Sequence, residues 1–233
     1  MADFVNLPNN LVRYSVTTTG VAIIELNNPP ANAYSFEMMS DLDAAIIKAR
    51  FDESAHVIVL RGAGEKFFCA GADIAMLGKV TTAFKYNFCL HANETLLRLE
   101  HTPKLVIAAI EGNCVGGGLE IALAADIRVG AKGKSKVGLP EVNLGVLPGT
   151  GGTQRLARVL GRNKSIELMV EGRLFGFDQA LEMGLLNNLF EPSDFNAQVL
   201  SYAEQFVPPN RASKAVGLIK RAVVTGLEMG MEQ

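Results

Sequence analysis

Two short runs constrain what this chain can fold into, Val57-Ile58-Val59-Leu60 and Leu105-Val106-Ile107-Ala108-Ala109-Ile110. Both are apolar at every position, whereas a strand with one wet face alternates apolar and polar residues. Strands without alternation must be covered on both faces, as in layered α/β structures. The expected fold class is therefore α/β, with mostly buried strands between helices.

Other segments fit that scheme. Val12–Val16 and Val21–Leu26 are rich in β-branched or aromatic residues and flank the turn-prone Thr19-Gly20, which predicts a hairpin. Residues 27–33, with Pro29-Pro30, are expected to be irregular, and residues 35–50 have helical apolar spacing behind a serine cap. The second pass has the 57–60 strand, Phe67-Phe68 after a glycine turn, and Ala70-Gly71-Ala72-Asp73 leading into a further helical stretch. The third has the 105–110 strand, the triplet Gly116-Gly117-Gly118, and a helix over 119–125. From Thr153 onward helices are expected at 153–160, 163–170, 178–183 and 212–227. The units share an order but no repeated sequence, and no low-complexity linker divides them.

At 233 residues the chain falls in the range of one large domain that buries roughly 70–75% of its extended surface. A net charge of −2 gives no global attraction for nucleic acid or an anionic membrane, so neither is an expected partner. Cys69, Cys89 and Cys114 sit in apolar surroundings without a C-x-x-C pair, which favours reduced thiols and a cytoplasmic location. The first residues, Met1-Ala2-Asp3-Phe4-Val5-Asn6, lack the pattern of a secretion signal. No apolar stretch approaches the ~20 residues of a membrane helix, and a soluble protein is expected.

Glycines after strands first suggest phosphate binding, but the templates fail. The stretch from Gly112 to Gly117 does not space its glycines as G-x-G-x-x-G, and the stretch from Gly149 to Gln154 lacks the last glycine. Gly133-Lys134-Ser135 resembles the tail of a P-loop, yet Arg128 stands where the leading glycine is required. His56, His91 and His101 show no metal-ligand spacing and no nucleophile elbow is present, so no metal is expected. What remains is stabilisation of a developing oxyanion by bare backbone N–H groups, with Gly117 at a helix start and Ala72 at the preceding strand-to-helix turn as candidate donors. Nearby, Glu120 ends a glycine-rich stretch and Glu141 follows Pro140. Two carboxyls so mounted could share one water. Spacing alone also fits, and favours, Glu120 as a first-turn acid complementing its helix dipole and Glu141 as an exposed turn residue.

Three motifs tip that balance: residues 68–74 (Phe-Cys-Ala-Gly-Ala-Asp-Ile), 110–120 (Ile-Glu-Gly-Asn-Cys-Val-Gly-Gly-Gly-Leu-Glu), and Leu139-Pro140-Glu141 with Gly145 and residues 148–156 (Pro-Gly-Thr-Gly-Gly-Thr-Gln-Arg-Leu). In order, and over nearly the whole chain, they resemble the crotonase, or enoyl-CoA hydratase/isomerase, superfamily. The resemblance implies a spiral of ββα units over 1–190 and a C-terminal helical region over 191–233, shortened relative to the family. It implies an acyl-CoA thioester substrate, with CoA part of that substrate and no separate cofactor. Ala72 and Gly117 match the oxyanion-hole positions, and Glu120 and Glu141 the two glutamates of hydratases. Ala31, Ala33, Tyr34, Ala70, Gly71, Asp73, Ile74 and Gly116 fall in segments that line the substrate channel. Hydration of a 2-enoyl thioester is the implied reaction, with isomerisation of a 3-enoyl thioester, or binding of acyl-CoA or RNA without catalysis, as alternatives. A homotrimer or dimer of trimers is the implied assembly.

Tyr34, where a smaller aliphatic residue is frequent, Ala75, where a charge is frequent, and the length of segment 130–136 depart from the pattern. Asp73 and Asp126 are expected to serve helices or turns, Cys69 and Cys114 to pack, and Arg155 to anchor structure. Lys66 is a candidate contact for a CoA phosphate.

Overall fold

The computed structural model describes residues 3–229. The chain opens with β1 (Val5–Asn6), β2 (Val12–Val16) and β3 (Val21–Leu26), and β2 and β3 form the expected antiparallel hairpin. Helix α1 (Phe36–Phe51) follows, its Ser35 hydroxyl accepting from the Met38 N–H as an N-cap. One unit then comprises β4 (Val57–Gly62), β5 (Phe67–Cys69), the single turn α2 (Ile74–Leu77) and α3 (Thr82–Glu100). The next comprises β6 (Leu105–Ile110), β7 (Asn113–Val115) and α4 (Gly117–Leu123). The third runs β8 (Ile127–Ala131), β9 (Lys136–Gly138), a 3-10 turn over Glu141–Leu144, α5 (Gly152–Leu160) and α6 (Arg162–Glu171). The remainder is β10 (Phe175–Gly176), α7 (Phe177–Glu182), β11 (Asn188–Phe190), α8 (Phe195–Glu204) and α9 (Ser213–Gly226).

One sheet has the order β1-β2-β3-β4-β6-β8-β11 and is parallel from β3 onward. The short strands form a second in the order β10-β9-β7-β5, in which β9, β7 and β5 are parallel. Each unit thus passes from the large sheet to the small one and then into a helix, the α/β spiral that the resemblance implied.

The absence of alternation in β4 and β6 has the expected cause. Ile58 and Leu60, with Val106, Ala108 and Ile110, face the main core against α1 residues such as Met38, Leu42 and Ile46. Val57 and Val59, with Ile107 and Ala109, face a second apolar layer closed by Phe195, Val199 and Ala203 of α8. Both faces are dry, so every position is apolar.

The parallel neighbours β5 and β7 place Cys69 beside Cys114, so their strand-to-helix turns, 70–73 and Gly116, lie side by side. Packing there leaves no room for a side chain, since a Cβ on Gly118 would stand 2.0 Å from the Cys69 carbonyl oxygen. The third strand, β9, brings its own C-terminal end alongside, and the Gly116 N–H donates to the Gly138 carbonyl at 2.9 Å. Ala72, Gly117 and the approach to Glu141 are therefore collected at one end of the small sheet.

Candidate active site

Two backbone amides at this end have no acceptor. Neither the Ala72 nor the Gly117 N–H donates a hydrogen bond to another group among the described residues. The turn is shaped to keep them bare. Gly71 has φ +89°, and a Cβ there would stand 3.0 Å from the Gly117 nitrogen. Gly116 has φ +57°, and a Cβ on it would lie 3.1 Å from Glu141 Oε1. L side chains rarely adopt such backbone, so both positions favour glycine for conformation as well as space.

Glu120 is buried in the first turn of α4. Its carboxylate does not simply complement the dipole of its own helix. Oε1 accepts the N–H groups of Thr150 and Gly152, each at 2.8 Å, at the N-terminus of α5, and Oε2 accepts the Thr150 hydroxyl. Amides left free at the start of one helix thereby fix the carboxylate of another. The loop is anchored from α3: Asn93 Nδ2 donates to the Gly149 carbonyl at 2.9 Å, and Arg155 donates to the Thr150 carbonyl at 3.1 Å while pairing with Glu100 at 2.9 Å. Arg155 is the structural anchor that the sequence suggested.

Glu141 contrasts with it. Standing at the start of the 3-10 turn behind Pro140, it leaves Oε2 buried without a hydrogen-bond partner. Burial, with the nearby Glu120 charge as a smaller contribution, pushes its carboxyl up to about 7, against a donated backbone hydrogen bond that acts the other way. It is partly buried rather than an exposed turn residue. The two glutamates thus have opposite surroundings, one saturated with donors and one poised to hold a proton near neutrality.

The segments expected to line the channel also meet. Tyr34 pairs with Ala72 in an isolated parallel bridge, the Tyr34 N–H donating to the Gly71 carbonyl and the Asp73 N–H to the Tyr34 carbonyl, both at 2.9 Å. The Ala70 N–H likewise donates to the Ala31 carbonyl at 3.0 Å. Asn32, between Ala31 and Ala33, was missed as a positioning residue. It is fully buried at φ +48°, and its amide donates to the Ala63 and Phe67 carbonyls at 3.0 and 2.9 Å, pinning the irregular loop to the β4–β5 connection. An asparagine between two alanines in a proline-marked loop was the available signal.

Asp73 caps α2, accepting from the Ala75 and Met76 N–H groups. Ile74 is mostly exposed, which leaves an apolar side chain open to solvent beside the turn. Lys66 lies 6.0 Å from the ring of its neighbour Phe67. Cys69 and Cys114 are buried free thiols, and burial raises Cys69 to about 12, so neither behaves as a nucleophile. Asp126 serves structure, accepting the Val106 N–H at 2.7 Å and pairing with Lys220 at 2.9 Å. Among the described residues no group of three acidic, histidine or cysteine side chains could hold a metal ion, and no helix is long and apolar enough to cross a membrane. A cleft lined by Arg50, His56, Lys104 and Lys214 lies before β4 and β6, away from the glutamates.

Bare paired amides, two carboxyls of opposite character, and a spiral of strand-to-helix turns define a class. Residues 16–233 match the enoyl-CoA hydratase/isomerase family model, and the chain belongs to that family. The short-chain-enoyl-CoA hydratase of Clostridium acetobutylicum is 37% identical over 91% of this chain and 80% of that protein. The crotonyl-CoA hydratase of Syntrophomonas wolfei is 31% identical over 91% of this chain and 81% of its own length. Among solved structures, an enoyl-CoA hydratase from Geobacillus kaustophilus superposes with TM-score 0.93 at 39% identity, over 100% of this chain and 86% of that one.

Proposed function

We propose that the protein hydrates 2-enoyl-CoA thioesters reversibly to 3-hydroxyacyl-CoA. The observation that carries this reading is the opposed setting of the two glutamates beside two unpaired amides. Water addition needs a base for the water, a proton for C2, and a place for charge on the thioester oxygen. The Glu120 carboxylate, held by three donors, removes a proton from water as its oxygen bonds to C3. The C2=C3 electron pair shifts towards the thioester, and the resulting enolate oxygen accepts from the Ala72 and Gly117 N–H groups. Glu141, protonated in part at neutral pH, gives its proton to C2. One water is consumed, and the proton on Glu120 returns to solvent or to Glu141.

Ala31, Ala33, Ala70, Gly71 and Gly116 shape the wall that approaches the thioester, and Ile74 flanks its entrance. The fully buried free thiols Cys69 and Cys114 support a reducing, cytoplasmic setting. The outward apolar side chains of α9, Leu218, Ile219 and Val223, support assembly as a homotrimer or dimer of trimers. Crotonyl-CoA is the direct test of the activity: its enoyl absorbance should fall on addition of the protein. Unchanged absorbance, together with turnover of a 3-enoyl-CoA, would replace the hydratase by an isomerase.

A further inference from the structure

We propose that Thr150 is the positioning residue that fixes Glu120 to take a proton from water, a role separable from proton transfer at C2. The proposal rests on the reading of Glu120 as the base for water. Its basis is the division of labour around the Glu120 carboxylate. One oxygen, Oε1, is held by backbone, through the Thr150 and Gly152 N–H groups. The other, Oε2, is held by a single side chain, the Thr150 hydroxyl. The loop main chain is secured independently of that hydroxyl, by Asn93 on the Gly149 carbonyl and Arg155 on the Thr150 carbonyl. Removing the hydroxyl therefore frees one carboxylate oxygen without releasing the loop.

Tyr34 stands against the neighbouring glycine turn, whose residue Gly117 opens the helix that carries Glu120. Its side chain is 3% exposed, its ring packs on Phe88 with centroids 5.9 Å apart, and its hydroxyl would lie 2.2 Å from a Cβ placed on Gly117. The phenol therefore touches the glycine that offers the candidate oxyanion amide. Burial, with the Glu120 charge adding to it and a hydrogen bond from Thr150 acting the other way, pushes the phenol's pKa well up and keeps it neutral. The unusual residue in the 31–35 segment thus packs against the oxyanion turn.

The test compares Thr150→Val, which keeps the shape and loses the hydroxyl, with Thr150→Ser, which keeps the hydroxyl. In Thr150→Val, kcat for crotonyl-CoA hydration should fall ~10–100-fold with KM changed less than about two-fold, because a charge-assisted hydrogen bond is lost at the base alone. Thr150→Ser should restore kcat to within about three-fold, since its hydroxyl can make the same contact. Exchange of the C2 hydrogen of butyryl-CoA with D2O, which calls only on Glu141 and the two amides, should persist in Thr150→Val. Thr150→Ala, which also lacks the hydroxyl, should show the same split, and it carries the test if Thr150→Val fails to fold. Unchanged kcat in Thr150→Val, failure of serine to rescue, or parallel loss of exchange and hydration would overturn the proposal. A wild-type protein that exchanges butyryl-CoA but does not hydrate crotonyl-CoA would instead overturn the hydratase reading.

Discussion

Glutamine in place of Glu141 is expected to remove hydration while making the fold more stable above neutral pH. The carboxyl is raised from 4.5 in the unfolded chain to about 7 in the folded one, first by burial. The folded state therefore binds this proton more tightly, and the group's contribution to stability declines as pH rises from about 4.5, levelling above about 7. At roughly 1.4 kcal/mol per pKa unit the full penalty would be about 3 kcal/mol. The carboxyl is only partly covered and solvent screens it, so about 1.5 kcal/mol is the realistic size. For a chain of this length that corresponds to an increase in Tm of roughly 3–6 °C in Glu141→Gln at pH 8. At pH 4.5, where the folded carboxyl is neutral and the unfolded one only half ionised, the two proteins should melt nearly together. Thermal unfolding followed by circular dichroism at the two pH values gives the comparison. A Tm difference that is the same at both, or a variant less stable at pH 8 than at pH 4.5 relative to wild type, would refute the reasoning.

Two further outcomes follow from the geometry. If protonated Glu141 supplies the C2 proton, kcat/KM for hydration should decline on the alkaline side with a midpoint near 7, and a profile flat from pH 6 to 9 would contradict this. Lys220→Met should destabilise the fold by about 3 kcal/mol, read as a lower denaturation midpoint, because it leaves the partly buried Asp126 without its cation and takes one donor from each of the Leu99 and Lys104 carbonyls. Its double variant with Asp126→Asn should recover part of that loss.

Much of this architecture was legible because burial leaves a mark on sequence. The unalternating runs at 57–60 and 105–110 predicted strands dry on both faces, and β4 and β6 are such strands. β8 was not legible, since Arg128 and Gly130 interrupt its pattern. The guanidinium is nonetheless buried, donating to the Leu185 and Ala125 carbonyls at 2.8 Å each, and a Cβ on Gly130 would stand 2.8 Å from the Phe177 ring. Such compensation comes from residues distant in sequence and has no local signature. α8 was missed for a related reason, because its apolar face answers the far side of the sheet. At the site, the positions of Glu120 and Glu141 could be named, but their contrast could not. It arises from the N-terminus of α5 reaching one carboxylate and not the other. Thr150 lay in a glycine loop that failed the phosphate templates and otherwise served only as part of a family motif, whereas the free amides at the start of α5 needed an acceptor, and Glu120 is that acceptor.

In the proposed reaction, water adds across C2 and C3 through two glutamates with separate tasks. Its most direct test is mass spectrometry of product formed from crotonyl-CoA in 18O-labelled water by the wild type and by Glu120→Gln. The wild type should place one solvent oxygen at C3 of 3-hydroxybutyryl-CoA, and the variant, folded as judged by circular dichroism, should form almost none. Label incorporation by Glu120→Gln at the wild-type rate, or a wild type that incorporates no label, would contradict the account.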